Sequence, residues 1–228
     1  MTKTSGSGYP AVGYPDTEPL DAVQRDRAAR LGAATLHEAA GKIGALPSRI
    51  RQITPGLSFA GRALTVHGPG GDNLWLHRAL LRATVGDVLV ASVGGMYEHG
   101  YWGEVMSVAA AARGVAALVI DGCVRDGDVL ASVGVPVFAR GLCIRGTGKD
   151  PNGIGAIGEP VTLGDVTVRP GDLVAGDADG VVVVPVSRVA EVLAAGTARV
   201  AAEARIMDGL RRGESSVDLL RLPKEAGR

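Results

Sequence analysis

Three apolar runs separated by helical segments constrain this chain more than any other feature. Residues 63–66 (ALTV), 88–93 (VLVASV) and 115–120 (VAALVI) read as strands without polar alternation, so the sheet they form must be covered on both faces. A helix over residues 74–84, which Asp72 or Asn73 is placed to cap, joins the first two runs. An alanine-rich helix over residues 102–113 joins the second and third. Strand, helix, strand, helix, strand is the pattern of a parallel sheet covered by helices. A short helix to Ser132 and a strand at 135–138 continue it. Residues 161–163, 166–168, 173–175 and 181–184 are short strands split by Gly-Asp, Pro-Gly and Asp-Ala-Asp-Gly turns, which predicts a compact, mainly β layer. Helices over residues 19–40 and 186–212 flank this body. The expected architecture is α/β: one β/β/α domain over residues 19–213, a flexible Gly-, Pro-, Ser- and Thr-rich arm at 1–18 and a polar tail at 214–228.

Charge excludes some partners. Lys plus Arg (24) balance Asp plus Glu (24), so no net field draws the chain to nucleic acid or an anionic membrane. No apolar run approaches the ~20 residues that span a bilayer, and the N-terminus lacks a secretory apolar core. Cys123 and Cys143 make no disulfide framework. A cytoplasmic location is expected. With 34 glycines and 4% aromatics, the core must be built from Val, Ala and Leu, each burying less than a ring would; such a core favours added stability from subunit contacts.

Ligands of parallel sheets bind beyond the carboxyl ends of the strands. Two loops qualify, GGMYEHGYWGE after Val93 and DGCVRD after Ile120, and a right-handed crossover sets them side by side. Glu98, His99, Glu104, Asp121, Arg125 and Asp126 are then expected to crowd one rim. Gly103, Glu104, Val105 and Met106 open a helix whose free N–H groups and dipole suit a carboxylate or phosphate. Arg125 can fork onto a pair of oxygens. Asp126 is a hard oxygen ligand for Mg²⁺ or Mn²⁺. An Arg-Asp pair is ordinarily a surface ion pair or a cap, and its place at a strand end facing Gly103-Glu104 is what favours function. Glu98-His99 has no second His at helical spacing and is not a zinc pair. His37, His67 and His77 are scattered and read as structural or surface groups. Asp177-Ala-Asp179-Gly180 is a turn rather than a calcium loop.

Several stretches together resemble one family: His37-Glu-Ala39, Gly71-Asp-Asn-Leu-Trp-Leu-His77, Gly86-Asp-Val-Leu-Val90, Gly100-Tyr-Trp-Gly-Glu104, Val119-Ile-Asp-Gly-Cys-Val-Arg-Asp126 and Pro170-Gly-Asp172. They resemble the class II pyruvate aldolases acting on 4-hydroxy-4-methyl-2-oxoglutarate and 4-carboxy-4-hydroxy-2-oxoadipate, which belong with the RraA-like proteins. The most specific element is an acidic residue, twenty intervening residues and Arg-Asp, here Glu104 and Arg125-Asp126. The resemblance implies a swivelling β/β/α domain in a homotrimer or homohexamer. It implies Asp126 as the one side chain that ligates Mg²⁺ or Mn²⁺, Arg125 on the pyruvyl oxygen, and the amides of Gly103, Glu104, Val105 and Met106 as the pocket for the pyruvate carboxylate. Glu104 stands where these aldolases usually carry Asp, reaching the metal through water. Glu203 matches a glutamate lent by a neighbouring subunit. The implied reaction is retro-aldol cleavage of a small 2-oxo acid to pyruvate, with oxaloacetate decarboxylation alongside. No Schiff-base route is expected from Lys149. RraA itself, a ribonuclease inhibitor acting by protein contact, has the same fold; Asp126, which such regulators lack, favours the enzyme.

Overall fold

Along the central strands, alternate side chains serve two different cores. Val88, Val90, Ala117 and Val119 enter one, whereas Leu89, Ala91, Leu118 and Ile120 enter the other. Burial on both faces explains why these runs carry no polar alternation. The computed structural model describes residues 20–223. The expected arm at 1–18 and the last residues of the tail lie outside them.

In chain order the elements are α1 (Ala22–Leu31), α2 (Ala33–Ala39), β1 (Arg51–Gln52), β2 (Phe59–His67), α3 (Leu74–Arg82), β3 (Asp87–Ser92), α4 (Glu104–Ala111) and β4 (Ala117–Ile120). There follow β5 (Cys123–Val124), α5 (Gly127–Val133), β6 (Val137–Ala139), β7 (Gly141–Leu142), β8 (Ala156–Ile157), β9 (Val161–Leu163) and β10 (Val166–Val168). The chain closes with β11 (Leu173–Asp177), β12 (Gly180–Val184), a 3₁₀ turn (Val186–Arg188), α6 (Val189–Arg211) and α7 (Ser216–Leu219).

The main sheet runs β1-β6-β4-β3-β2-β11-β12, with β8 also on β2. Strands β2, β3, β4 and β6 are parallel, and β1, β11, β12 and β8 join antiparallel. The predicted parallel unit is therefore present, but β11 and β12 extend its sheet instead of forming a separate layer. The far edge nearly closes on the near one. The Leu46 amide donates to the Val181 carbonyl (2.9 Å), and the Val183 amide to the Gly44 carbonyl (2.8 Å), just before the chain enters β1. The inside of this rolled sheet is largely apolar, with Phe59 and Phe138 edge to face at 5.2 Å, the β9–β10 hairpin adding Val161, Leu163 and Val168, and Thr65 a buried hydroxyl beside Val90. Helices α3, α4 and α5 cover the outer face of the parallel strands through Leu76, Leu80, Met106, Ala110 and Leu130. Helices α1, α2 and α6 cover β11 and β12. Each fully buried Val or Leu contributes ~1.5–3 kcal/mol, so many modest side chains replace the missing rings.

The single N-terminal helix expected over residues 19–40 is two. Gly32 adopts φ 79°, which ends α1, and the Asp177 carboxylate from the β11–β12 turn accepts the Ala33 amide at 2.7 Å to start α2. A left-handed residue with a remote cap breaks the helix where periodicity runs straight through. The Asp177–Gly180 segment is a hairpin turn, as expected.

Candidate active site

The loops that follow β3 and β4 are stitched together by their backbones. The Cys123 amide donates to the Tyr97 carbonyl (2.8 Å), the Tyr101 amide to Cys123 (3.1 Å) and the Arg125 amide to Trp102 (2.8 Å). Tyr101 and Trp102 root the first loop in the core. The Tyr101 hydroxyl accepts from the Gly71 amide at 2.7 Å and donates to the Met96 carbonyl, while the Trp102 indole donates to the Ser107 hydroxyl at 2.7 Å. Burial pushes the Tyr101 phenol up, so it stays a donor.

Gly100 and Gly103 are where this stitching needs a missing side chain. A Cβ on Gly100 would stand 2.6 Å from the Cys143 carbonyl oxygen, and one on Gly103 would overlap the Asp126 carboxylate. Gly103 has extended backbone, so the requirement is close approach rather than dihedral freedom. Asp126 itself is left-handed (φ 61°) at the head of α5, an uncommon state for a residue with a side chain. Its Oδ2 accepts the Glu104 amide at 3.0 Å and lies 3.7 Å from Arg125 Nε. One of the four amides expected to serve a carboxylate is thereby given to Asp126. The amides of Val105 and Met106, in the first turn of α4, have no intrahelical acceptor.

Gly103, Val105, Met106, Arg125 and Asp126 line a cleft of ≈ 250 Å³. Asn73, His77, Thr147 and Lys149 line it too. Asn73 donates to the Tyr101 carbonyl at 2.9 Å, which fixes its amide orientation and leaves its buried Oδ1 without a partner. Burial and then the charge of Lys149 push His77 down, and Asp72 opposes them, so its imidazole faces the cleft neutral. His77, read from the sequence as a structural or surface group, thus lines the cleft, and so does Lys149.

The expected crowd of six charges on one rim does not form. Asp121 points elsewhere, its carboxylate held by Arg140 (2.7 Å) and Arg49 (3.3 Å). Burial raises its pKa, and the two guanidinium groups more than offset that, holding it below the usual carboxylate range. His99 is buried beside the Tyr101 ring. Glu98 and Glu104 are exposed; Glu104 lies in an adjoining recess with Asp126 and Asp128 rather than in the cleft. Glu203 is on α6, paired with Arg199 at 2.8 Å, and is not among the cleft residues of its own chain.

The donor set fits a hard divalent ion. Among the described residues no three His, Cys, Asp or Glu side chains cluster as a metal cage, and Asp126 offers one partly exposed carboxylate (38%) on the cleft. One carboxylate with room for water is a Mg²⁺-type arrangement. Among the described residues no helix is long and apolar enough to cross a membrane.

Comparison with known proteins places the fold and the family. The sequence profile of the RraA-like family, described as Aldolase/RraA, matches residues 21–183. A Halalkalibacterium halodurans protein named "Putative 4-hydroxy-4-methyl-2-oxoglutarate aldolase" is 37% identical over 148 residues, which is 65% of this chain and 70% of that one. An uncharacterized Pseudomonas syringae protein of known structure superposes with TM-score 0.76 at 29% identity, over 89% of this chain and 99% of its own. The RNA-processing inhibitor RraA from Thermus thermophilis superposes with TM-score 0.61 at 26% identity, over 67% and 92%. With the profile covering most of its length, the chain belongs to the RraA-like family.

Proposed function

We propose that this chain is a divalent-metal-dependent pyruvate aldolase. Its substrate is a 4-hydroxy-2-oxo acid, 4-hydroxy-4-methyl-2-oxoglutarate or 4-carboxy-4-hydroxy-2-oxoadipate. The observation that carries the reading is the Arg125–Asp126 pair set against Gly103 at the start of α4 in one cleft. The aldolase name of a relative at 37% identity supports it.

The chain's own groups divide the work. The free amides of Val105 and Met106, aided by the helix dipole, bind the carboxylate next to the 2-oxo group. Arg125 forks onto the 2-oxo oxygen and holds it in the cleft. Asp126 would hold Mg²⁺ or Mn²⁺, which when bound supplies Lewis-acid withdrawal of the charge that develops on that oxygen. A water held by Glu104 and its neighbours takes the proton of the C4 hydroxyl as the C3–C4 bond breaks, and returns a proton to the pyruvyl carbon afterwards. C4 becomes a carbonyl, and the bonding pair stays with the pyruvyl fragment, which is then protonated. Oxaloacetate, on losing CO₂, leaves an electron pair on the same carbon, so its decarboxylation is the expected side reaction. In the trimer or hexamer that belongs to this reading, Glu203 serves the cleft of a neighbouring copy.

Pyruvate release from both hydroxy acids and from oxaloacetate, with Mg²⁺ or Mn²⁺ and again with EDTA, tests the reading. Metal-dependent release from a hydroxy acid is expected. Turnover of oxaloacetate alone would move the substrate to another 2-oxo acid. Release from none would overturn the enzyme and favour the ribonuclease-inhibitor reading, which the likeness to RraA supports.

A further inference from the structure

Asp72 is a buried carboxylate that makes no ion pair among the described residues. Burying such a group is costly unless its oxygens are satisfied, and both are. Oδ1 accepts the Leu74 amide at 2.8 Å, the first amide of α3 and one without an intrahelical acceptor. Oδ2 accepts the Asp150 amide at 2.6 Å, from a loop 78 residues further along the chain. Backbone bonds run beside the carboxylate: the Gly148 amide donates to the Gly71 carbonyl (2.7 Å), and the Asn73 amide to the Gly148 carbonyl (3.2 Å). The approach is close, since a Cβ on Gly148 would stand 3.2 Å from Asp72 Oδ2. Two walls of the cleft meet here. Asn73 and His77 stand on the α3 side, and Thr147 and Lys149 on the loop side. Asn would make the same turn into the helix, but it has one acceptor oxygen where Asp has two. The second oxygen is the one that the helix does not need.

We propose that Asp72 is a positioning residue that clamps the loop at 146–150 onto the start of α3 and so sets the width of the cleft that receives the substrate. This rests on the aldolase reading. Arg125 and Asp126 stand on another wall, between β5 and α5. The clamp therefore governs how tightly the substrate is held, not the metal ligand or the bond-breaking step.

Hydrogen exchange and kinetics on the full chain test the clamp together. Asp72→Asn is the informative variant, because it keeps an acceptor for Leu74 and loses the one for Asp150. By mass spectrometry, its peptides over residues 146–153 should exchange about tenfold faster than in wild type, as the loss of one hydrogen bond to a charged group predicts. Peptides over residues 74–82 should stay within about threefold. KM for 4-hydroxy-4-methyl-2-oxoglutarate should rise about tenfold, with kcat and Mn²⁺ affinity within about threefold of wild type. Asp72→Ala, which loses both acceptors, should free the peptides over 74–82 as well. Unchanged exchange at 146–153 in Asp72→Asn would show that the loop holds without this carboxylate, and would overturn the clamp. Faster exchange with KM unmoved, or a parallel fall in kcat and Mn²⁺ affinity, would make Asp72 a general structural bond and overturn its part in substrate binding. Wild type that releases no pyruvate would overturn the aldolase reading instead, and the exchange measurement would still decide the clamp.

Discussion

Asp121 and Asp126 stand five residues apart in one loop, DGCVRD, and sit in opposite settings. Asp121 is 9% exposed and closed off by two arginines, Arg140 and Arg49. Asp126 is 38% exposed, has one arginine at 3.7 Å and a single backbone amide, and keeps room for a ligand. A carboxylate whose acceptor sites are filled by guanidinium groups is a strut, whereas one partly satisfied on a cleft is a tool. Arg140 also lies over the Tyr97 ring at 3.2 Å, so the strut braces the loop that carries Gly100 and Gly103. The structural aspartate holds in place the surface on which Asp126, the proposed metal ligand, stands.

Substitutions break this comparison in a defined order. Asp126→Ala should lower metal-dependent pyruvate release about 10³-fold, since several kcal/mol of Lewis-acid stabilisation leave with the ligand. Its thermal midpoint should stay within a few degrees of wild type. Gly103→Ala should cost about 10²-fold, because the new Cβ displaces the Asp126 carboxylate by the kind of small shift that misaligns a reaction; circular dichroism should show an unchanged fold. Asp121→Asn reverses the pattern. It should destabilise the chain by about 2 kcal/mol in urea unfolding, the cost of leaving Arg140 and Arg49 without their carboxylate, with a far smaller effect on turnover per folded molecule.

The pH dependence separates the pair as well. A carboxyl held below its unfolded value contributes stability that is present above the ordinary carboxylate range and lost as pH falls through the depressed folded value. Wild type should therefore lose stability steeply in acid, and Asp121→Asn, which never had that contribution, should show a flatter acid limb in urea unfolding. The smallest effect belongs to Glu104→Asp. Glu104 lies outside the cleft, so shortening it should change kcat by less than about tenfold, the floor for general acid–base loss being ~10².

Much of this was legible in the sequence because β3 and β4 are buried on both faces and must be written as unbroken apolar runs. The glycines at 100 and 103 and the Arg125-Asp126 pair sit in the two loops that the strand-end rule selects. What periodicity missed has physical causes. Strands β1, β5, β7 and β8 are two residues long and are set by partners distant in sequence, not by any local pattern. Asp121 reads as a rim residue because nothing nearby in sequence announces Arg49 or Arg140. His77 and Lys149 line one cleft through the pinning of residues 148–153 onto the start of α3. One signal for His77 was present: the loop after β2 ends at the same rim as the other two, and His77 lies one turn into the helix it opens.

The most direct test of the account is Mn²⁺ binding, followed by titration with electron paramagnetic resonance, to wild type, Asp126→Asn and Asp121→Asn, each confirmed folded. The account predicts that wild type and Asp121→Asn bind with similar affinity and that Asp126→Asn loses the site. Retained binding in Asp126→Asn, or loss confined to Asp121→Asn, would contradict it and exchange the roles assigned to the two aspartates.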